Sequence, residues 1–326
     1  MTDTRVFIHI GLPKTASTLL QTLVFPNIEG VTHISRPYTQ ENHAFNKLQY
    51  ADDSLYDPEE LRSELRYILG ARTSDTPLLI SDELLSGTPF YNFLNRGLIA
   101  HRLAEVLPQS EIILFLRGQR SIIRSLYNQY VKLGWCTDEL DSHFISQPGP
   151  GFSLREFLAG NRSWNIRNRY ISHRSYMNQQ HFLYYELVRF YKHTFGKVHV
   201  FLYEDLATEP HSILGKLADL FETHIPDGVL RAVQSTNVNP GLDDDALVRK
   251  LMQNRLQVLH QRARGRCGRM ASRVLAALLK TGRFQQRQKE YLDRLMNRNV
   301  FTPNNRLLNE RYPEIGIGRH PEAYQL

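Results

Sequence analysis

Five short apolar runs punctuate the chain and restrict its fold more than any other feature. Residues 6–10 (VFIHI), 78–80 (LLI), 112–116 (IILFL) and 198–202 (VHVFL) are continuous, and residues 31–34 (VTHI) form a weaker fifth. A strand with one wet face alternates apolar and polar residues, whereas an unbroken run needs apolar cover on both faces. That is the condition of a parallel sheet wrapped by helices. Helical patterns lie between the runs. Residues 57–70 (DPEELRSELRYILG) carry Asp57 as N-cap, Pro58 in the first turn and Gly70 as stop. In residues 182–196, Tyr184, Leu187, Val188, Tyr191 and Phe195 form one stripe at helical spacing. Strands alternating with helices predict an α/β fold, a central parallel sheet flanked by helices. With no internal repeat, residues 1–326 read as one domain.

Composition narrows the class further. A hydrophobic share of 41% over 326 residues supports a substantial core. Two cysteines, Cys136 and Cys267, argue against a disulfide framework and suit a reducing compartment. No apolar leader precedes the first run, and the run VLAALL at residues 274–279 is far shorter than the roughly 20 residues that span a bilayer. The expectation is a soluble, cytoplasmic protein. The formal charge of +7 is unevenly placed: residues 249–298 hold 14 Lys or Arg against Glu290 and Asp293. Taking that +12 from the +7 of the whole leaves −5 elsewhere. The segment reads as a helical, basic C-terminal extension over about 241–300. It is either a solvated face on the core or a contact for a polyanion or an anionic membrane surface. No zinc-finger spacing, RNA-binding signature or metal-ligand cluster is present, so neither a specific nucleic acid nor a metal is expected.

The first run leads into GLPKTASTLL, residues 11–20. A strand passing through a short Gly-containing loop into a helix presents backbone N–H groups beyond the carboxyl end of the sheet, where anions bind. Lys14 adds a charge; Ser17 and Thr18 add hydroxyl donors. The candidate contacts are Gly11, Pro13, Lys14, Thr15, Ala16, Ser17, Thr18 and Leu19. The spacing is not that of a Walker A loop, because Pro13 precedes the lysine and Ile8 stands where its first Gly belongs. A second anion clamp is predicted at the end of the run 112–116, where Arg117 is followed eight residues later by Ser125.

These stretches carry a resemblance. GLPKTASTLL resembles the 5′-phosphosulfate loop of the sulfotransferases that use PAPS (3′-phosphoadenosine 5′-phosphosulfate), and RGQRSIIRSLYNQY is similar to their 3′-phosphate motif. FLYEDLATEP (201–210) and NNRLLNERYP (304–313) resemble later motifs of the family, in the family's order. The resemblance implies a P-loop NTPase-like fold and transfer of a sulfuryl group from PAPS, leaving PAP, without a metal. The acceptor would be a hydroxyl or amine, on a carbohydrate, a glycolipid or a small alcohol. It places Lys14 on the oxygen bridging sulfate and phosphate, and Thr15, Ser17 and Thr18 on the 5′-phosphate. Arg117 and Ser125 would hold the 3′-phosphate, and Tyr185 would face adenine. Ala16 stands where the family usually has Gly, so the loop is expected to do without a positive φ there. Residues 237–242 (NVNPGL) take the place of the Arg-Lys-Gly triplet that completes the 3′-phosphate site in some members.

Sulfuryl transfer needs an acceptor stripped of its proton and held in line. Glu83, which follows the run 78–80, is the expected base; burial would raise its pKa toward the working range. His43 is the rival, with His33 near the same pocket, while His9 inside the first run reads as a hydrogen-bonded core residue. Two other readings stand beside the sulfotransferase. One is a P-loop kinase with Asp82 on Mg²⁺ beside ATP. The other is a non-catalytic polyanion-binding module.

Overall fold

A computed structural model describes residues 5–36, 44–70, 76–88, 93–134, 145–146, 177–236, 243, 246–254, 286, 290 and 301–326. They fall into two compact units: Met1–Gly118, Leu183–Val238 and Asn304–Leu326 make the first, Gln119–Phe182 and Asn239–Pro303 the second.

In the first unit the five apolar runs are strands: β1 (Val6–His9), β2 (Thr32–Ser35), β3 (Leu78–Ser81), β4 (Glu111–Leu116) and β5 (Val198–Leu202). All pair in parallel, in the order β2-β3-β1-β4-β5. This is the parallel α/β, P-loop-like arrangement expected, with β1 in the middle. β3 and β4 are buried at every position, as their unbroken apolar sequence requires.

One face of the sheet presents Phe7, Leu79, Ile113, Phe115 and Phe201. They pack with Leu20, Val24 and Phe25, with Ile213, Leu217 and Phe221 of α8 (Pro210–Phe221), and with Val229 and Val233 of α9 (Asp227–Ser235). Burying each such side chain contributes about 2 kcal/mol. Helix α6 (Tyr184–Phe195) packs on β4 and β5 and against α4 (Arg96–Val106), and its predicted stripe of five residues is entirely buried. Helix α3 (Pro58–Gly70) starts and stops where its sequence signals stand: the Asp57 carboxylate accepts from the N–H groups of Glu59 and Glu60.

The register fixes where the site forms. His9, Ser81 and Ser35 are aligned across three strands, and Leu116 is level with Leu202. The residues that follow the strands, Arg36, Asp82, Arg117 and Tyr203, therefore emerge along one carboxyl edge, together with the loop after β1.

In the second unit, α5 (Gln119–Lys132) buries Ile122, Ile123, Leu126, Tyr127, Tyr130 and Val131. Residues 246–254 are helical. Leu251 is buried there, and the Asn254 amide donates to the Val131 carbonyl at 2.8 Å. Most of the basic stretch 249–298, Cys136, Cys267, residues 237–242 and His43 lie outside the described residues. No helix among the described residues is long and apolar enough to cross a membrane.

Candidate anion-binding site

The loop after β1 is wound tightly. Lys14 has φ 71° and Ala16 has φ 69°. Ala16 thus corrects the expectation from sequence: it takes the left-handed conformation that glycine would adopt freely, and its Cβ meets a steric cost there. Such strain at a non-glycine residue persists only where surrounding structure over-determines the backbone. Here Ala16 is packed against the core under the sheet, and its carbonyl accepts the N–H of Leu20 at 3.0 Å. Alternation of left-handed residues in a short loop turns successive N–H groups toward one side, a conformation that suits an anion. Gly11 has φ 27°, and a Cβ on it would lie 2.7 Å from Ser17 Oγ and 2.9 Å from the His9 ring. The loop can pass this close to its own helix only with glycine at that position.

The hydroxyls of the loop divide into two roles. Thr15 is wholly buried, and its hydroxyl donates to the Leu12 carbonyl at 2.6 Å. It braces the loop. Ser17 is also buried, but its Oγ has no well-formed hydrogen bond. An orphaned buried hydroxyl in a strained loop beside a lysine fits a phosphate or sulfate oxygen. Thr18 is exposed, Pro13 is buried, and Leu19 packs against the core. The α-helix that begins at Ser17 runs only to Leu19 before widening into a π turn over Leu20–Val24. So short a helix contributes little dipole at the loop.

Across from the loop, Asp82 and Glu83 follow β3. Asp82 is fully buried. One of its oxygens accepts from Arg36 Nε at 2.8 Å and Gln49 Nε2 at 2.5 Å, and the other caps the following turn through the Leu84 N–H at 2.9 Å. Glu83 is the first residue of that turn, half-buried. Burial pushes its carboxyl above the usual carboxylate range, and the neighbouring Asp82 charge adds to the effect. Lys14, Arg36 and the Ser17 hydroxyl lie close enough to oppose it. The fold thus brings Glu83, Lys14 and Ser17 together.

Behind the loop, His9 is wholly buried with Nδ1 2.7 Å from Ser81 Oγ, as its place inside a strand suggested. Burial, with a smaller push from His33, lowers its pKa to about 3; burial alone takes His33 to about 4. Both rings are neutral and pack edge-on against Phe25. His33 Nε2 has no hydrogen-bond partner.

Arg117 emerges from β4 and reaches back to the loop, where Nη1 donates to the Lys14 carbonyl at 2.7 Å. Its guanidinium lies over the Tyr203 ring, 4.1 Å from the centroid, and its own carbonyl accepts from the Tyr184 hydroxyl at 2.5 Å. Ser125 is half-buried beyond the first turn of α5, in the second unit. Tyr185 packs beside Tyr312 and Arg189. The tyrosine of α6 that touches Arg117 is its neighbour Tyr184. Sequence reasoning did not single out Arg36, Gln49, Tyr184 or Tyr203 for the site. Only the place of Tyr203 directly after an apolar run, and of Arg36 two residues after another, pointed to them.

Fold and loop together define an α/β protein of P-loop-like architecture whose first strand leads into a lysine-bearing loop of non-Walker spacing. No protein-family model matches the chain, and no curated protein sequence matches it. Among solved structures, a sulfotransferase from Alicyclobacillus acidocaldarius aligns over 77% of this chain and 90% of its own, at 16% identity and a TM-score of 0.41.

Proposed function

We propose that this chain transfers a sulfuryl group from PAPS to a hydroxyl or amine, with a carbohydrate or glycolipid as the favoured acceptor class. The observation that carries the reading is the meeting of Glu83, Lys14 and the buried Ser17 hydroxyl at the carboxyl edge of a parallel sheet. In-line displacement at sulfur needs a base for the acceptor proton and a positive group at the leaving phosphate oxygen. Glu83 is the base and Lys14 the positive group. Ser17 and Thr18 hold the 5′-phosphate, while Arg117 takes the 3′-phosphate. The basic C-terminal segment is the natural contact for an anionic acceptor or a membrane surface, and a cytoplasmic site of action is part of the same proposal.

The kinase reading needs Asp82 for Mg²⁺. Arg36, Gln49 and the Leu84 N–H already occupy both of its oxygens, so Asp82 acts as a brace for the turn that carries Glu83. The test is calorimetric binding of PAP, followed by transfer of labelled sulfate from PAPS into a panel of glycans, lipids and small alcohols. Tight PAP binding without added metal and label in one acceptor class are expected. Magnesium-dependent ATP turnover with no affinity for PAP would instead establish a kinase. Polyanion binding that survives Lys14→Ala and ignores PAP would establish a binding module.

A further inference from the structure

The peptide that follows Arg117 is held from several directions by groups outside the loop after β1. The Gly118 N–H donates to Glu204 Oε1 at 2.9 Å, and the other oxygen of that carboxylate accepts from the Tyr324 hydroxyl, also at 2.9 Å. Tyr324 is wholly buried, and its phenol is pushed well above the ordinary value, by burial first and then by the Glu204 charge, so it remains a donor. Its carbonyl is fixed by the Asn305 amide at 2.5 Å. Gly118 has no space for a side chain: a Cβ there would meet the Ala323 carbonyl oxygen at 2.5 Å. The next carboxylate along, Asp205, holds Arg319 at 2.5 Å and His320 at 2.6 Å. The last turn of the chain, Pro321–Tyr324, is therefore built into the junction from which Arg117 projects.

The half-buried Glu204 carboxylate is shared between the backbone N–H next to Arg117 and the buried Tyr324 phenol. Loss of either partner leaves a partly desolvated carboxylate short of a donor. Tyr203, one residue before Glu204, lies against the guanidinium itself.

We propose that Glu204 and Tyr324 are positioning residues for Arg117: through the Gly118 peptide they set the direction in which the guanidinium meets the donor, so that the C-terminal turn governs donor affinity. The inference rests on the donor reading given above. It also places a requirement on the final residues of the chain that no feature of their own sequence announces.

The test is PAP binding by calorimetry in four proteins: the wild type, Tyr324→Phe, Arg117→Ala and the double variant. Steady-state constants for donor and acceptor accompany it. Tyr324→Phe removes one oxygen and keeps the ring, so its cost should be about five- to tenfold in PAP affinity. The loss should fall on the donor KM, with kcat and the acceptor KM nearly unchanged. In the Arg117→Ala background, the same substitution should cost nothing more, because the group it positions has gone. Equal losses in both backgrounds, or wild-type affinity in Tyr324→Phe, would overturn the proposal while leaving the donor reading intact. Absence of PAP binding by the wild-type protein would overturn both. Should Tyr324→Phe fold poorly, Glu204→Gln serves in its place, since it keeps one acceptor oxygen and removes the charge. It should give the same coupling to Arg117, and additive losses would count against the inference.

Discussion

Arg117 donates from Nη1 to the backbone carbonyl of Lys14 at 2.7 Å, across 103 residues of chain. The two cations at the sheet edge are thus tied through the backbone of one of them, and the loop that presents the lysine is held in its turn by the arginine. The two substitutions should therefore differ in kind. Lys14→Ala removes the charge at the leaving oxygen and should lower turnover by about 10²- to 10³-fold, with little change in the melting temperature. Arg117→Ala should weaken donor binding by about tenfold or more and also destabilise the fold by about 1–2 kcal/mol, because the Lys14 carbonyl loses its charged donor. Thermal melts beside donor titrations separate the two. Equal melting temperatures would show that the tie to the loop carries no weight.

Glu83 offers a pH signature. Its carboxyl is raised by burial and by Asp82, and it must be ionised to act as a base. Activity should therefore rise with pH along a limb displaced above the usual carboxylate range. Glu83→Gln should abolish that limb and lower kcat by about 10²-fold or more. Arg36 opposes the upward shift, so Arg36→Gln should move the limb to still higher pH. It should also cost about 2 kcal/mol of stability, less than for a fully buried pair because the Arg36 side chain is a third exposed. Near wild-type turnover in Glu83→Gln would remove the residue from the mechanism.

Ala16 sits at φ 69° with a Cβ that the left-handed region penalises. Ala16→Gly should relieve that strain, offset in part by the greater freedom of glycine in the unfolded chain. A net gain of about 0.5 kcal/mol is expected in denaturant unfolding. A loss of stability would show that the methyl contributes more through packing than its backbone costs.

The two buried histidines predict acid sensitivity. His9 and His33 are held neutral, with pKa values lowered to about 3 and about 4, against an ordinary value of 6.5. The unfolded chain takes up protons below pH 6.5 that the folded chain refuses, so stability is full above that pH and falls as the pH drops toward the folded values. Between pH 7 and pH 5 the loss should be about 1–2 kcal/mol for each ring. His33→Phe should flatten the slope, because this ring has an unpartnered nitrogen and already packs against Phe25. Urea midpoints at the two pH values measure it; an unchanged slope would mean that His33 protonates in place.

The apolar runs by themselves determined the sheet. Residues such as Ile112–Leu116 have no polar position to offer water, so they must lie in a strand covered on both sides, and parallel pairing follows. The same reasoning reached the cap at Asp57, the buried stripe of α6 and the edge on which Lys14, Glu83 and Arg117 appear, because strand ends in a parallel sheet share one edge whatever their order. The sequence could not show that Ala16 would accept a left-handed backbone, since a local rule names glycine for that role and only packing from outside the loop overrides it. Nor could it separate Thr15 from Ser17: two hydroxyls in one loop look alike until one finds a carbonyl at hydrogen-bond distance and the other does not. Asp82 against Arg36, Arg117 against Lys14 and Glu204 against Tyr324 are pairings between segments 46 to 120 residues apart. Local preference has no reach over such separations. These contacts exist because the tertiary structure draws charges partly or, at Asp82, wholly out of water, and each then takes the partner that the fold places beside it.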